Sequence, residues 1–202
     1  MAGTDSTDIA LNHQEKLELL SVARRAILHR LTHSASPPIG EDDVSENLRL
    51  LSGAFVSLHI EEELRGCIGS IYAEEPLFRI VGQMAIQAAT EDPRFPPLTN
   101  SELPRTDIEV SVLSELKPIA AADVEVGVHG LFLSRGSRRG LLLPQVPGQY
   151  GWNRKHYLGQ LCLKAGLPDR AWADPESRLL MFTADVFSDS SLYDDPALPD
   201  DI

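Results

Sequence analysis

Two glycines flank a cysteine inside a stretch that otherwise alternates like a strand, Leu64-Arg65-Gly66-Cys67-Ile68-Gly69-Ser70. Glycine packs poorly in a strand, so it marks a bulge or a place where something approaches the backbone. The preceding run, Ala54 to Ile60, supplies a first strand, and Glu61, Glu62 and Glu63 supply the turn. Pairing Ile60 with Leu64 sets Leu58 opposite Gly66 and Val56 opposite Ile68, and that face is apolar throughout. The other face then carries His59 beside Arg65, Ser57 beside Cys67 and Phe55 beside Gly69. A slip of one residue would send every apolar side chain to the wrong face, so the pattern selects this register.

Two readings of Cys67 follow. With Arg65 two residues away on the same face, the thiolate is favoured and Cys67 becomes a nucleophile or ligand. His129 or His59 would then move protons, and Arg65 would bind an anionic group of the substrate. Gly66, Gly69, Ser57, His59 and Arg139 are the candidate ligand contacts. In the other reading the cysteine packs as a small hydrophobe. The glycine-flanked strand 64–70 would then serve a non-catalytic binding or scaffold module.

The remaining chain divides by its punctuation. Residues 1–10 form a polar lead, expected to be disordered. Residues 12–33 carry apolar residues at helical spacing, with His29 and His33 one turn apart on a solvated face. Residues 34–47 form a loop. Pro76 opens a second helix that ends near Glu91. Asp92-Pro93-Arg94-Phe95-Pro96-Pro97 makes a rigid turn, in which Asp92 and Arg94 form a local salt bridge. Asp107 to Leu113 alternates as a strand. Gly130 to Ser134 and Leu141 to Leu143 are strands joined by a turn over 135–140, whose Arg135, Arg138 and Arg139 form the densest basic cluster. Arg135 and Arg138 there read as a solvated tip. Asn153 caps a helix that Gly166 ends, with Tyr150 and Trp152 before it as anchors. Leu179 to Phe187 reads as one last strand, and 188–202 as a loose acidic tail.

The chain repeats itself. Gly53-Ala54-Phe55-Val56-Ser57 resembles Gly130-Leu131-Phe132-Leu133-Ser134, Arg65-Gly66 resembles Arg139-Gly140, and Asp92-Pro93 resembles Asp174-Pro175. Both halves run hairpin, helix, turn, strand. The expectation is an α+β fold of antiparallel sheets flanked by helices, with a ββαβ duplication. At the place of Cys67 the second half has Leu141, the better packing choice, which favours function at the thiol.

Charge and cysteine usage exclude some classes. The formal net charge is −12, which opposes broad affinity for nucleic acid or an anionic membrane. Half of it lies from Ala184 onward, where there are six aspartates and no lysine or arginine. Two cysteines make no disulfide framework. The first residues lack the basic start and apolar core of a signal peptide. A cytoplasmic location is expected, with no metal and no cofactor.

Together, Leu64 to Ser70, Asp92 to Leu98, Glu109 to Leu113, His129-Gly130-Leu131, Arg139 to Val146 and Leu161 to Pro168 resemble the AMMECR domain family, in the same order. The resemblance implies a single domain over 11–187, with subdomains at about 48–118 and 119–187 and the helix 12–33 packed on them. It implies no settled reaction. It does suggest Memo-like and radical-SAM proteins as partners in a redox or radical pathway; the small anionic ligand is expected from Arg65 beside Cys67. The segment Pro147-Gly148-Gln149-Tyr150 departs from the family's more acidic, helical-looking pattern.

Overall fold

Period-two and period-3.6 patterns build two four-stranded sheets, each covered on one side by helix. The computed structural model describes residues 9–32 and 40–193. The lead 1–8, His33 within 33–39, and the tail 194–202 lie outside the described residues. In chain order the elements are α1 (His13–Thr32), β1 (Ala54–Ile60), β2 (Glu63–Ser70), α2 (Leu77–Thr90), β3 (Asp107–Leu113), β4 (Lys117–Pro118), β5 (Gly130–Arg135), β6 (Arg138–Leu142), α3 (Val146–Gln149), α4 (Arg154–Lys164), β7 (Arg178–Phe182), β8 (Ala184–Ser188) and α5 (Asp189–Tyr193). The fold is α+β. It divides into a first unit, up to Leu113 and from Asp185, and a second unit, Ser114–Ala184.

The first unit's sheet has the order β2-β1-β3-β8. Ala54, Val56 and Leu58 of β1 and Ile108 and Val110 of β3 are fully buried on one face. Leu19, Ala23 and Ile27 of α1 and Leu77, Phe78 and Val81 of α2 pack with them. Each such large side chain contributes about 1.5–3 kcal/mol by leaving water. The helix α1 starts where Asn12 and Glu15 cap each other, Glu15 N donating to Asn12 Oδ1 (2.9 Å) and Asn12 N to Glu15 Oε2 (2.8 Å).

The second unit's sheet has the order β4-β7-β5-β6. Leu131 and Leu133 of β5 pack under Tyr157, Leu161 and Cys162 of α4, all five fully buried. Asn153 caps α4, its Oδ1 accepting from His156 N (3.0 Å), and Gly166 ends it with a left-handed φ of 65°.

The duplication is visible in the pairing. In both units the strand after the helix returns beside the first strand of the hairpin, giving β2-β1-β3 and β6-β5-β7. Leu58, between Gly66 and Ile108, corresponds to Leu133, between Gly140 and Leu179. This register matches Phe55 with Gly130, so the likeness expected between 53–57 and 130–134 is two residues out. A shift of two keeps the same face, which is why the apolar pattern did not expose it.

Two further boundaries differ from expectation. The run 179–187 is two strands, β7 in the second sheet and β8 in the first, interrupted at Thr183. The second hairpin turns over Gly136 and Ser137, with Gly136 at φ 59°, so Arg138 and Arg139 belong to β6. The tip is not simply solvated. Arg135 pairs with Asp174 (2.7 Å) and Arg138 donates to the Gly166 carbonyl.

Candidate functional site

The first hairpin closes more tightly than its three glutamates suggest. Glu61 and Glu62 take left-handed φ values of 53° and 67°. That backbone suits a two-residue turn whose twist matches the strands. Glu63 therefore pairs with Ile60 and Leu64 with His59, and the register shifts between Leu58 and His59. Arg65 is the extra residue of this bulge. From Leu58 onward the expected register holds, with Leu58 opposite Gly66, Ser57 opposite Cys67, Val56 opposite Ile68 and Phe55 opposite Gly69.

The bulge corrects the expected place of Arg65. Its guanidinium donates from Nε to Glu102 Oε1 (3.1 Å), from Nη2 to Glu102 Oε2 (3.3 Å) and from Nη1 to the Pro96 carbonyl (2.8 Å). It ties β2 to the proline-rich turn and is engaged away from the sulfur.

The cation at Cys67 is Arg94. Its Nη2 donates to the Cys67 carbonyl (3.3 Å). Asp92, whose side chain is 2% exposed, holds it in place. Arg94 Nε donates to Asp92 Oδ1 (3.0 Å) and Nη2 to Oδ2 (2.6 Å). Asp92 Oδ2 also accepts from Cys67 N (2.9 Å) and Oδ1 from Arg94 N (3.1 Å). Strand β2 is a sheet edge, so the outward N–H and C=O of Cys67 would otherwise stand open. Asp92 and Arg94 satisfy both, as a neighbouring strand would. The expected local salt bridge is present, and it also clamps the cysteine's backbone.

The electrostatics follow from these contacts. Hydrogen bonds from Arg94, then from the backbone of Cys67 and of Arg94, hold the Asp92 carboxyl well below the usual carboxylate range, against the opposing effect of burial. Arg94 is raised above its ordinary value, first by its hydrogen bond to Asp92. Burial works against this rise, while the charge of Asp92 and the charge and hydrogen bonding of Cys67 add to it. The guanidinium thus lies where it can steady an anion beside the sulfur. Ser57 Oγ donates to Cys67 Sγ at 3.3 Å, and Cys67 is half-buried. The chemistry on offer is a sulfur nucleophile with a fixed cation and a hydroxyl within reach.

The two glycines serve packing. A Cβ on Gly66 would strike the Ala88 carbonyl of α2, and one on Gly69 would strike the Phe55 ring. Gly140, the counterpart of Gly66, has the Ala165 N of its own unit's helical layer 2.7 Å from where a Cβ would sit. The Arg-Gly repeat therefore records close helix-to-strand packing in both units.

The other expected residues divide between the units. His59 pairs with Leu64 and Asp107 in the first sheet. His129 lies in the second unit, where its Nδ1 accepts from Glu125 N (3.1 Å) and braces a turn. Arg139 sits on β6 opposite Ser134. Cys162 is fully buried, and burial pushes its thiol up. Trp152 packs against the second core while Tyr150 is exposed, the rings stacked at 4.9 Å. Among the described residues no group of three or more His, Cys, Asp or Glu could hold a metal ion, and no helix is long and apolar enough to cross a membrane.

Glu102 predicts a pH dependence. Arg65's hydrogen bonds, then the backbone and side chain of Thr99, lower its pKa from 4.5 to about 2. A depressed carboxylate contributes stability that is present above its unfolded value and lost as pH falls through the folded one. Native stability should therefore decline between pH 4.5 and about 2. Glu102→Gln should be less stable at pH 7 and flatter across that window. Urea unfolding at stepped pH measures both.

The AMMECR1 family model matches residues 20–187. A protein of Methanothermobacter thermautotrophicus is 42% identical over 184 residues, covering 88% of this chain and 95% of its own. One of Methanopyrus kandleri is 41% identical over 181 residues, covering 85% and 86%. A crystal structure of an uncharacterised protein from Pyrococcus horikoshii superposes with a TM-score of 0.85 at 34% identity, covering 91% of this chain and 95% of that one.

Proposed function

Starting from the fact that the chain belongs to the AMMECR1 family, we propose that its first unit carries a cysteine-dependent site for a small anionic substrate. Cys67 supplies the sulfur nucleophile. Arg94 takes the anionic group, Asp92 holds Arg94 and the Cys67 backbone, and Ser57 hydrogen-bonds the sulfur. Arg65 acts indirectly, by fixing β2 to the turn that presents Asp92 and Arg94. The observation that carries this reading is the arginine held by a buried carboxylate at the one half-buried cysteine. Paired arginines on a surface are common and contribute little. Here the pairing is bidentate and also closes the strand edge at the cysteine itself.

The alternative, a binding module that offers bare glycine backbone, draws less support. The space above Gly66 is taken by α2 and that above Gly69 by Phe55.

Alkylation tests the proposal. With iodoacetamide on the folded chain at pH 7, Cys67 should be modified and Cys162 spared, because Cys162 has no exposed surface. Peptide mass spectrometry reads both sites at once. Equal modification of the two would mean the chain is opening. A Cys67 that stays unmodified until denaturant is added would remove the nucleophile from the account.

A further inference from the structure

The second unit contains a cavity of about 550 Å³ between the outer face of α4 and the segment after it. Lys155, His156 and Gly159 line it from the helix, and Asp169, Arg170 and Trp172 from the segment. None of its lining residues belongs to the site proposed at Cys67. Its size falls within the range of small-molecule pockets.

Three features set it apart from a solvated helix face. First, its cations are free. Several cations elsewhere are tied to carboxylates: Lys16 to Asp185, Arg24 to Asp189, Arg65 to Glu102, Arg79 to Glu41, Arg94 to Asp92 and Arg135 to Asp174. The side chains of Lys155 and Arg170 make no hydrogen bond or ion pair among the described residues, although Asp169 shares the cavity with them. In a chain of net charge −12, unpaired cations in a concave site draw an anion selectively.

Second, Arg170 holds a left-handed backbone, φ 69° and ψ 7°. Glycine is the residue that adopts this without strain. An arginine there retains its side chain at the cost of local backbone strain, and such strain gathers at functional sites. Third, the walls are prepared. Gly159 lets the Asp169 carboxylate come close to the helix, its Oδ1 3.1 Å from where a Cβ would sit. Trp172 is rooted in the second core. The His156 ring is stacked on Trp152 at 5.9 Å and 8°.

We propose that this cavity binds a nucleotide-sized organic phosphate. Its phosphate is held by Lys155 and Arg170, and its flat ring lies against Trp172. Asp169 accepts hydrogen bonds from the ligand's hydroxyl or amino groups. Guanidinium and ammonium groups suit a phosphate, and an indole offers a stacking face that works for any base.

Titration of the full chain with AMP, followed by tryptophan fluorescence, tests the proposal. The chain has two tryptophans, and Trp172 lines the cavity. AMP should bind saturably, and more weakly as salt rises. Adenosine and ribose 5-phosphate should each bind at least roughly tenfold more weakly, each lacking one of the two contacts. Arg170→Gly removes the cation and relieves the left-handed strain, so its Tm should hold or rise while AMP affinity falls roughly tenfold. Lys155→Met should weaken AMP similarly. Several results would overturn the proposal: no saturation by AMP, unchanged affinity in both folded variants, adenosine binding as well as AMP, or ribose 5-phosphate doing so.

Discussion

Gly66→Ala should destabilise the chain by about 3 kcal/mol, the overpacking cost expected when a methyl meets immovable backbone. The Cβ would strike the Ala88 carbonyl oxygen, with the Ala88 carbonyl carbon 3.1 Å away. No side chain can swing aside to make room. Either α2 lifts from β2 or the strand bends away from the helix. Ala85, Ala88 and Phe78, all buried on that helix, lose contacts in either case. Thermal unfolding should show a Tm lower by roughly 6–12 °C for a chain of this size. The helix also leads directly into Asp92, so Cys67 should react more slowly in this variant even while it remains folded. A Tm within about 1 °C of the parent would show that the helix sits further from the strand than described.

Asp92→Ala should be nearly as costly, about 2–3 kcal/mol in urea unfolding at pH 7. The side chain is 2% exposed and accepts from Cys67 N, Arg94 N and the Arg94 guanidinium. Removing it strands an edge-strand N–H and frees the arginine. The loss of the ion pair itself is discounted, because the Arg94 side chain is 54% exposed and water can replace much of what it loses. The hydrogen bonds to the backbone carry most of the effect. Asp92→Asn retains one acceptor oxygen and should cost roughly half as much. If alanine and asparagine were equally harmless, the strand edge would not depend on this clamp.

Much of the fold was legible because two periods dominate it. Alternation set the register from Leu58 and Gly66 through Phe55 and Gly69, since any slip would have exposed Val56 and Leu58. Helical spacing located α1 and α2, and Asn153 and Gly166 marked the ends of α4. The turn was not legible. Nothing in three successive glutamates says that two of them take left-handed φ, and that choice displaces Arg65 into a bulge. Arg65 is near Cys67 in sequence and Arg94 is not, and tertiary geometry alone brings Arg94 rather than Arg65 to the cysteine. Asp92-Pro93-Arg94 did show its salt bridge. Its contact with the backbone of Cys67 spans 25 residues, beyond any local pattern. The break at Thr183 was hidden because the strands on either side of it are both apolar enough to read as one, while each pairs in a different sheet.

The proposed site joins the Cys67 sulfur and the Arg94 guanidinium into one anion-addressed pair. The most direct measurement compares the rates at which anionic iodoacetate and neutral iodoacetamide alkylate Cys67 in the folded chain at pH 7. Iodoacetate should be the favoured reagent, and Arg94→Met should lower the ratio of the two rates by roughly fivefold, the effect of one nearby partly screened charge. A ratio that is the same in the parent and in a folded Arg94→Met variant would contradict the pairing.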